Sequence, residues 1–190
     1  MRGALKIAIA GAHSTGKSTF LDKLDTRLSA RGLRVGRVAG LAKRALTAGF
    51  PILQNHTLDS TLWLMAEGLR EEAALSLDRD VILVDRPPLD ALAYLLAGLK
   101  VTDRAVDEPR LSRLQDIARA STADYAVVIF TELDPNQALG PDRDPDPIFR
   151  ATAAAKVSEL VARLAPHALR LRHGDEDAVL SAVERACAPL

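Results

Sequence analysis

Nine consecutive residues carry the strongest chemical signal in the chain: Gly11-Ala12-His13-Ser14-Thr15-Gly16-Lys17-Ser18-Thr19. They fit the phosphate-loop pattern G-x-x-x-x-G-K-[ST], in which backbone N–H groups converge on phosphate oxygens at the positive end of a helix. Gly11 and Gly16 permit backbone angles and close approach that a Cβ would hinder. Lys17 is expected to reach the β- and γ-phosphates and Ser18 to ligate Mg²⁺, with Thr19 supporting the helix start. The ligand expected at this loop is therefore Mg·ATP. A second group of residues follows an apolar run. Asp85 comes directly after Val81-Ile82-Leu83-Val84, where an acid can hold the metal, and its neighbour Arg86 can clamp a phosphate or a substrate. Arg143 lies in a Pro- and Asp-rich stretch and Arg150 just beyond it. A flap bearing arginines can neutralise a moving phosphoryl group and exclude water. The bland alternative is a solvated loop whose arginines pair with Asp142, Asp144 and Asp146.

A third set is expected to flank an acceptor pocket. Asn55, His56 and Thr57 precede a long helical segment on which Asp59, Trp63, Glu67 and Glu71 stand four residues apart and share a face. Trp63 can stack on a planar substrate or pack in the core. Asp59 and Glu67 can contact an acceptor or form a solvated face, and His56 is either a loop hydrogen-bonder or a ligand contact.

The elements that must position these groups are legible from apolar periodicity. Strands are expected at 5–10, 33–39, 81–84, 125–130 and 168–171, and helices at 18–30, 41–48, 58–77, 89–96, 111–120, 148–164 and 175–186. On the 58–77 helix the buried stripe is expected to run through Leu62, Met65, Leu69 and Ala73. Ala97-Gly98 is expected to close the helix before it. Alternating strands and helices predict an α/β protein with a five-stranded parallel sheet covered on both faces, its ligands beyond the C-terminal strand ends.

Composition sets the limits. The chain has 190 residues, 48% hydrophobic and 26% charged, which suits one globular domain over 1–190. Twenty-five basic and 25 acidic side chains leave no net charge, so no nucleic-acid partner is expected. Cys187 is the only cysteine, which excludes an intramolecular disulfide and a thiolate zinc site. The first strand begins within a few residues of Met1 and no apolar run approaches a membrane span, so a cytoplasmic protein without a membrane partner is expected.

Residues 11–19, Val84-Asp85-Arg86 with Leu89-Asp90, and the late stretch with Asp142-Arg143 and Arg150 resemble a family of small phosphate-loop kinases. That family includes the ribosylnicotinamide kinase domain of the bacterial NAD-biosynthesis regulator, and many of its members go by the description AAA-type ATPase. More distantly, the chain is similar to thymidylate, deoxynucleoside and adenylate kinases. The resemblance implies a phosphate-loop NTPase three-layer sandwich of the nucleoside- and nucleotide-kinase type. It also implies an acceptor region around residues 40–75, an arginine-bearing lid at about 134–150, and Gly174-Asp175 beside the adenine of ATP. Relatives often carry an acid just after the second strand; here Ala39-Gly40 stands there, followed by Lys43 and Arg44. Asp85 or Asp59 would then act as base. Lys43 and Arg44 would mark an acceptor already bearing phosphate or carboxylate, or a solvated helix face.

The function expected is ATP-dependent transfer of a phosphoryl group to a small acceptor, a nucleoside or nucleotide, by a protein for which a homodimer is an open possibility. The rivals are an NTP-hydrolysing switch or regulatory ATPase, and a nucleotide sensor with weak catalysis. A GTPase would need Asn-Lys-x-Asp, whereas the chain reads Thr131-Glu132-Leu133-Asp134 after Phe130.

Overall fold

A computed structural model describes residues 3–12, 15–133, 146–172 and 174–188. Among these, five parallel strands form one sheet in the order β2-β3-β1-β4-β5. The strands are β1 (Leu5–Ala10), β2 (Val35–Val38), β3 (Val81–Asp85), β4 (Val127–Thr131) and β5 (Leu169–Leu171). β1 is central, pairing Ile9 with Asp85 on one side and Ala10 with Phe130 on the other. The chain leaves β1 toward β2 and β3, then crosses back to β4 and β5, so the crevice between these two halves opens at the end of β1. That is where residues 11–19 begin.

Among the described residues seven α-helices cover the sheet: α1 (Lys17–Ala30), α2 (Leu41–Thr47), α3 (Leu58–Leu75), α4 (Pro88–Thr102), α5 (Glu108–Ala123), α6 (Pro147–Leu164) and α7 (Glu176–Ala186). The period-2 alternation of strand side chains divides the core. Ile7, Ile9, Val81 and Leu83 pack with α1 and α7 on one face. Ala8, Ile82 and Val84 pack on the other face with Leu41 of α2 and Leu64 of α3, while Ala10 and Phe130 meet α4 and α6. The result is the three-layer sandwich expected. α1 contributes Phe20, Leu21, Leu24 and Leu28, all buried, each worth about 2 kcal/mol on burial.

Two expectations about the helices fail, each for a local reason. The buried stripe of α3 runs through Thr61, Leu64, Met65, Gly68 and Glu72, while Leu62 stands 43% exposed. Polar residues can take the inner face here because each has a partner: Thr61 donates back to the Thr57 carbonyl at 2.8 Å, and Glu72 accepts from Tyr125 at 2.8 Å and forms an ion pair with Lys6 at 3.0 Å. A stripe drawn from hydrophobicity alone excludes both. α4 runs through Gly98 to Thr102. The glycine is there for packing, since a Cβ would lie 2.7 Å from the Gln54 carbonyl oxygen in the 3₁₀ turn Leu53–Asn55. Elsewhere the helices and strands lie within about three residues of their expected ends.

Candidate active site

β1 delivers the loop and α1 receives it. Gly16 caps α1 at φ 78° with no side-chain hydrogen bond, and the first turn carries no acid. The first helical bond runs from the Phe20 N–H to the Gly16 carbonyl at 3.0 Å, so the positive end of α1 opens onto the loop, where an anion is favoured. Gly11 is required by contact: at φ 150°, a Cβ would fall 1.9 Å from Thr131 Oγ1 and 2.9 Å from the Thr131 carbonyl. Thr131, at the end of β4, stitches the loop down. Its Oγ1 donates to the Ala10 carbonyl at 3.2 Å and lies 2.6 Å from Thr15 Oγ1. Lys17 is buried, with Nζ donating to the Gly11 carbonyl at 2.9 Å, to the Ala12 carbonyl, and to Thr15 Oγ1 at 3.1 Å. These neutral acceptors hold the ammonium within the loop.

β3 supplies the other wall. Ser18 Oγ donates to Asp85 Oδ2 at 3.2 Å, and Arg37 of β2 approaches the same oxygen at 3.8 Å. A hydroxyl and a carboxylate side by side form the sparse oxygen set that suits Mg²⁺, which keeps most of its waters. Among the described residues no group of three or more His, Cys, Asp or Glu gathers around a point. The pair fits a metal that arrives already bound to phosphate.

Arg86 follows with φ 72°, a left-handed conformation costing about 1–3 kcal/mol in a non-glycine residue. It is held by its N–H to the Ile9 carbonyl at 3.2 Å. Its guanidinium reaches the Gly11 carbonyl at 3.4 Å and Asp90 Oδ2 at 3.5 Å, and sits 5.2 Å from the Tyr94 ring centre. Burial works against the Arg86 charge, yet Tyr94, Asp90 and Asp85 outweigh it and hold its pKa above the usual arginine value. Asp90, in the first turn of α4, is fully buried and accepts from the Gly11 N–H at 3.2 and 3.3 Å. Burial pushes its carboxyl up to about 6, against the pull of Arg86, Lys17 and that N–H.

Behind Arg86 and Asp90 lies a mostly apolar cavity. Leu41 and Ala42 of α2, Leu53 and His56 of the 3₁₀ region, and Leu64, Gly68 and Glu72 of α3 line it, facing Ala91 and Tyr94 of α4. Of the acceptor residues expected from sequence, His56 lines it and the others surround it without lining it. Trp63 packs on Phe50, ring centres 5.4 Å apart. Glu67 pairs with Arg70 at 2.9 Å and Arg44 at 3.3 Å, and the Arg70 bond holds its carboxyl below the usual range. Arg44 also binds Glu71, while exposed Asp59 pairs with Arg110. Lys43 and Asn55 are exposed. The expected face of α3, through 59, 63, 67 and 71, is one residue out of phase with the lining face 64, 68 and 72, a rotation of about 100°. Asp90 entered the sequence reading only within the family resemblance, with no role assigned, and Tyr94 did not enter it.

Two further expectations concern the other side of the loop. Arg150 is buried in the first turns of α6, one turn before Ala154, which lines a second cavity with Ala12, Thr131 and Glu132. Gly174, at φ 93°, and Asp175 are exposed after β5, where α7 is tied to α1 by the pairs Lys23–Glu176 and Arg27–Asp177. His13, Ser14, Arg143 and the lid segment 134–145 lie outside the described residues.

Comparison with solved structures gives the fold independent support. The NadR protein in complex with NR superposes at TM-score 0.67 and 12% identity, over 97% of this chain and 52% of that one, so the chain spans about half of that protein. A deoxyadenosine kinase from M. mycoides, solved with the products dCMP and dCDP, gives TM-score 0.67 at 12% identity, over 98% and 100% of the two chains. The same kinase with dATP gives 0.66 at 13%, over 95% and 98%. No curated protein matches the chain by sequence. The model of one family, described as AAA domain, matches residues 6–177, which takes in the phosphate loop, Asp85, Arg86, the cavity and Arg150. The chain belongs to this phosphate-loop AAA-domain family.

Proposed function

We propose that residues 1–190 act as one ATP-dependent kinase domain, transferring the γ-phosphoryl group of Mg·ATP to a small acceptor of the nucleoside or nucleotide class. One observation carries this reading: the phosphate loop and the cavity share a wall. Arg86 and Asp90 line the cavity and also touch Gly11, through its carbonyl at 3.4 Å and its N–H at 3.2 Å. A molecule seated in the cavity therefore presents its near end to the loop. A hydrolytic switch needs only water there and has no use for such a recess. The structural neighbours solved with dATP, deoxynucleotides or NR support the same choice.

Each residue then has a task. Mg·ATP, when bound, supplies the phosphoryl group and a metal that neutralises its charge. Lys17 leaves the carbonyls of Gly11 and Ala12 for phosphate oxygens, a stronger set of partners for an ammonium. Thr15, Gly16, Ser18 and the loop N–H groups cradle the phosphates, with His13 and Ser14 completing the loop, and Ser18 and Asp85 hold the metal. Gly174 and Asp175 border the base. Arg86, Arg150 and Arg143 offset charge on the moving group. Asp90 is the buried carboxylate at the shared wall, and its raised pKa suits it to take the proton of an acceptor hydroxyl near neutral pH. Asp59 is tied to Arg110 outside the cavity and has no part in this scheme.

The test is ADP release and ³¹P NMR with Mg·ATP against a panel of nucleosides, nucleotides and hydroxylated metabolites. Acceptor-dependent ADP formation with a new phosphorus signal is expected, falling by about 100-fold or more in Lys17→Ala. ATP hydrolysis at one rate with every acceptor would return the chain to the switch class.

A further inference from the structure

The segment around His56 is held more firmly than a connecting loop requires. Arg104 Nη2 donates to the carbonyls of Gln54 and His56 at 2.9 and 3.0 Å, and Gly98 lets the turn lie directly on α4. His56 is 4% exposed, and its Nδ1–H donates to the Leu53 carbonyl at 2.7 Å. That bond fixes the tautomer: the proton sits on Nδ1 and Nε2 keeps a lone pair. No described residue donates to Nε2, although the ring lines the cavity, 5.9 Å from the Tyr94 ring. An acceptor held in one tautomer at the wall of a mostly apolar recess suits a donor that enters the recess.

The charges around the cavity narrow the class of donor. Among the described residues its lining holds one cation, Arg86, already facing Asp90, and one further acid, Glu72, which is paired with Lys6. Lys43 and Arg44 are absent from the lining, and Arg44 is bound by Glu67 and Glu71. A second phosphate would meet a single cation among the described residues of the lining, Arg86, which the moving phosphoryl group already occupies in this scheme. We propose that His56 is a specificity residue of this cavity, its Nε2 accepting a hydrogen bond from an O–H or N–H of an acceptor that carries no phosphate of its own. The inference rests on the kinase reading above. Burial, with Arg86 and Arg104 nearby, pushes the His56 pKa down to about 4, so the ring is neutral and its lone pair available at physiological pH.

Two substitutions separate binding from support of the turn. His56→Asn keeps an N–H near the position of Nδ1 and has nothing at Nε2, whereas His56→Gln brings a polar group to the position of Nε2 and gives up the bond to Leu53. Calorimetric titration with nucleosides and their 5′-monophosphates, with and without Mg·AMPPNP, reads both effects. We expect the wild type to prefer nucleosides over monophosphates. His56→Asn should weaken nucleoside binding about 5- to 10-fold, while His56→Gln keeps it within about 3-fold. The reverse order would show that His56 only supports the turn and would overturn the proposal, as would tighter binding of monophosphates. Should His56→Asn not fold, His56→Gln and the wild-type preference still decide. A wild type that binds Mg·AMPPNP but no nucleoside overturns the proposal and leaves the kinase reading to another acceptor. Failure to bind Mg·AMPPNP removes both.

Discussion

Gly11→Ala adds one methyl group at the point where the phosphate loop crosses β4, and its cost can be worked from the contacts. The new Cβ would lie 1.9 Å from Thr131 Oγ1 and 2.9 Å from the Thr131 carbonyl. The hydroxyl must move, which loosens its bonds to the Ala10 carbonyl at 3.2 Å and to Thr15 at 2.6 Å. Two hydrogen bonds at about 1 kcal/mol each, with about 1–3 kcal/mol for an alanine held at this backbone angle, give roughly 3–5 kcal/mol. Thr131→Ala alone should cost about 1–2 kcal/mol for the same two bonds. Because it also removes the atom that clashes, the double variant should cost about 1–2 kcal/mol less than the sum of the singles. The backbone clash at 2.9 Å remains, so recovery is partial. Urea unfolding of the four proteins measures the coupling, and Mg·AMPPNP titration should show affinity lost in Gly11→Ala and partly regained in the double variant. Additivity within about 0.5 kcal/mol would refute the reasoning that Thr131 dictates glycine at position 11.

The other predictions concern the cavity and the two buried titrating groups beside it. A Cβ on Gly68 would meet Leu41 Cδ1 at 3.2 Å, a contact that a flexible side-chain end can yield. Gly68→Ala should therefore be tolerated, while Gly68→Leu fills the cavity and abolishes acceptor binding with Mg·ATP affinity unchanged; equal loss of both ligands would disconnect the cavity from acceptor binding. Asp90 titrates at about 6 against an ordinary 3.8, so the folded state takes up its proton first, and this contribution to stability is complete below about pH 4 and lost as pH rises through 6. His56 titrates at about 4 against 6.5, so its contribution is present above pH 6.5 and lost on acidification toward 4. Each is on the order of 2–3 kcal/mol. Relative to wild type, Asp90→Asn should steepen the loss of stability between pH 6.5 and 4 and His56→Asn should flatten it, as read from urea midpoints across that range. Shifts of the same sign in both variants would contradict the burial argument.

The phosphate loop, the acid ending β3 and the alternation of strands with helices are all properties of local sequence. Gly16-Lys17-Ser18 acts through backbone angles and side chains a few residues apart, and Val81–Val84 is apolar on both faces because it is covered on both. Such features were legible before any fold was known, as was the helical segment between β2 and β3. Which residues of that region face the cavity was decided by tertiary packing. Glu72 turns inward because Lys6 of β1 and Tyr125 ahead of β4 meet it there, and Gly98 continues a helix because a distant carbonyl presses on it. Asp90 reads as one more helix-start acid until Gly11, 79 residues away, is brought to its carboxylate. Periodicity counts neighbours along the chain, whereas the energy of burying a polar group depends on partners that only folding supplies.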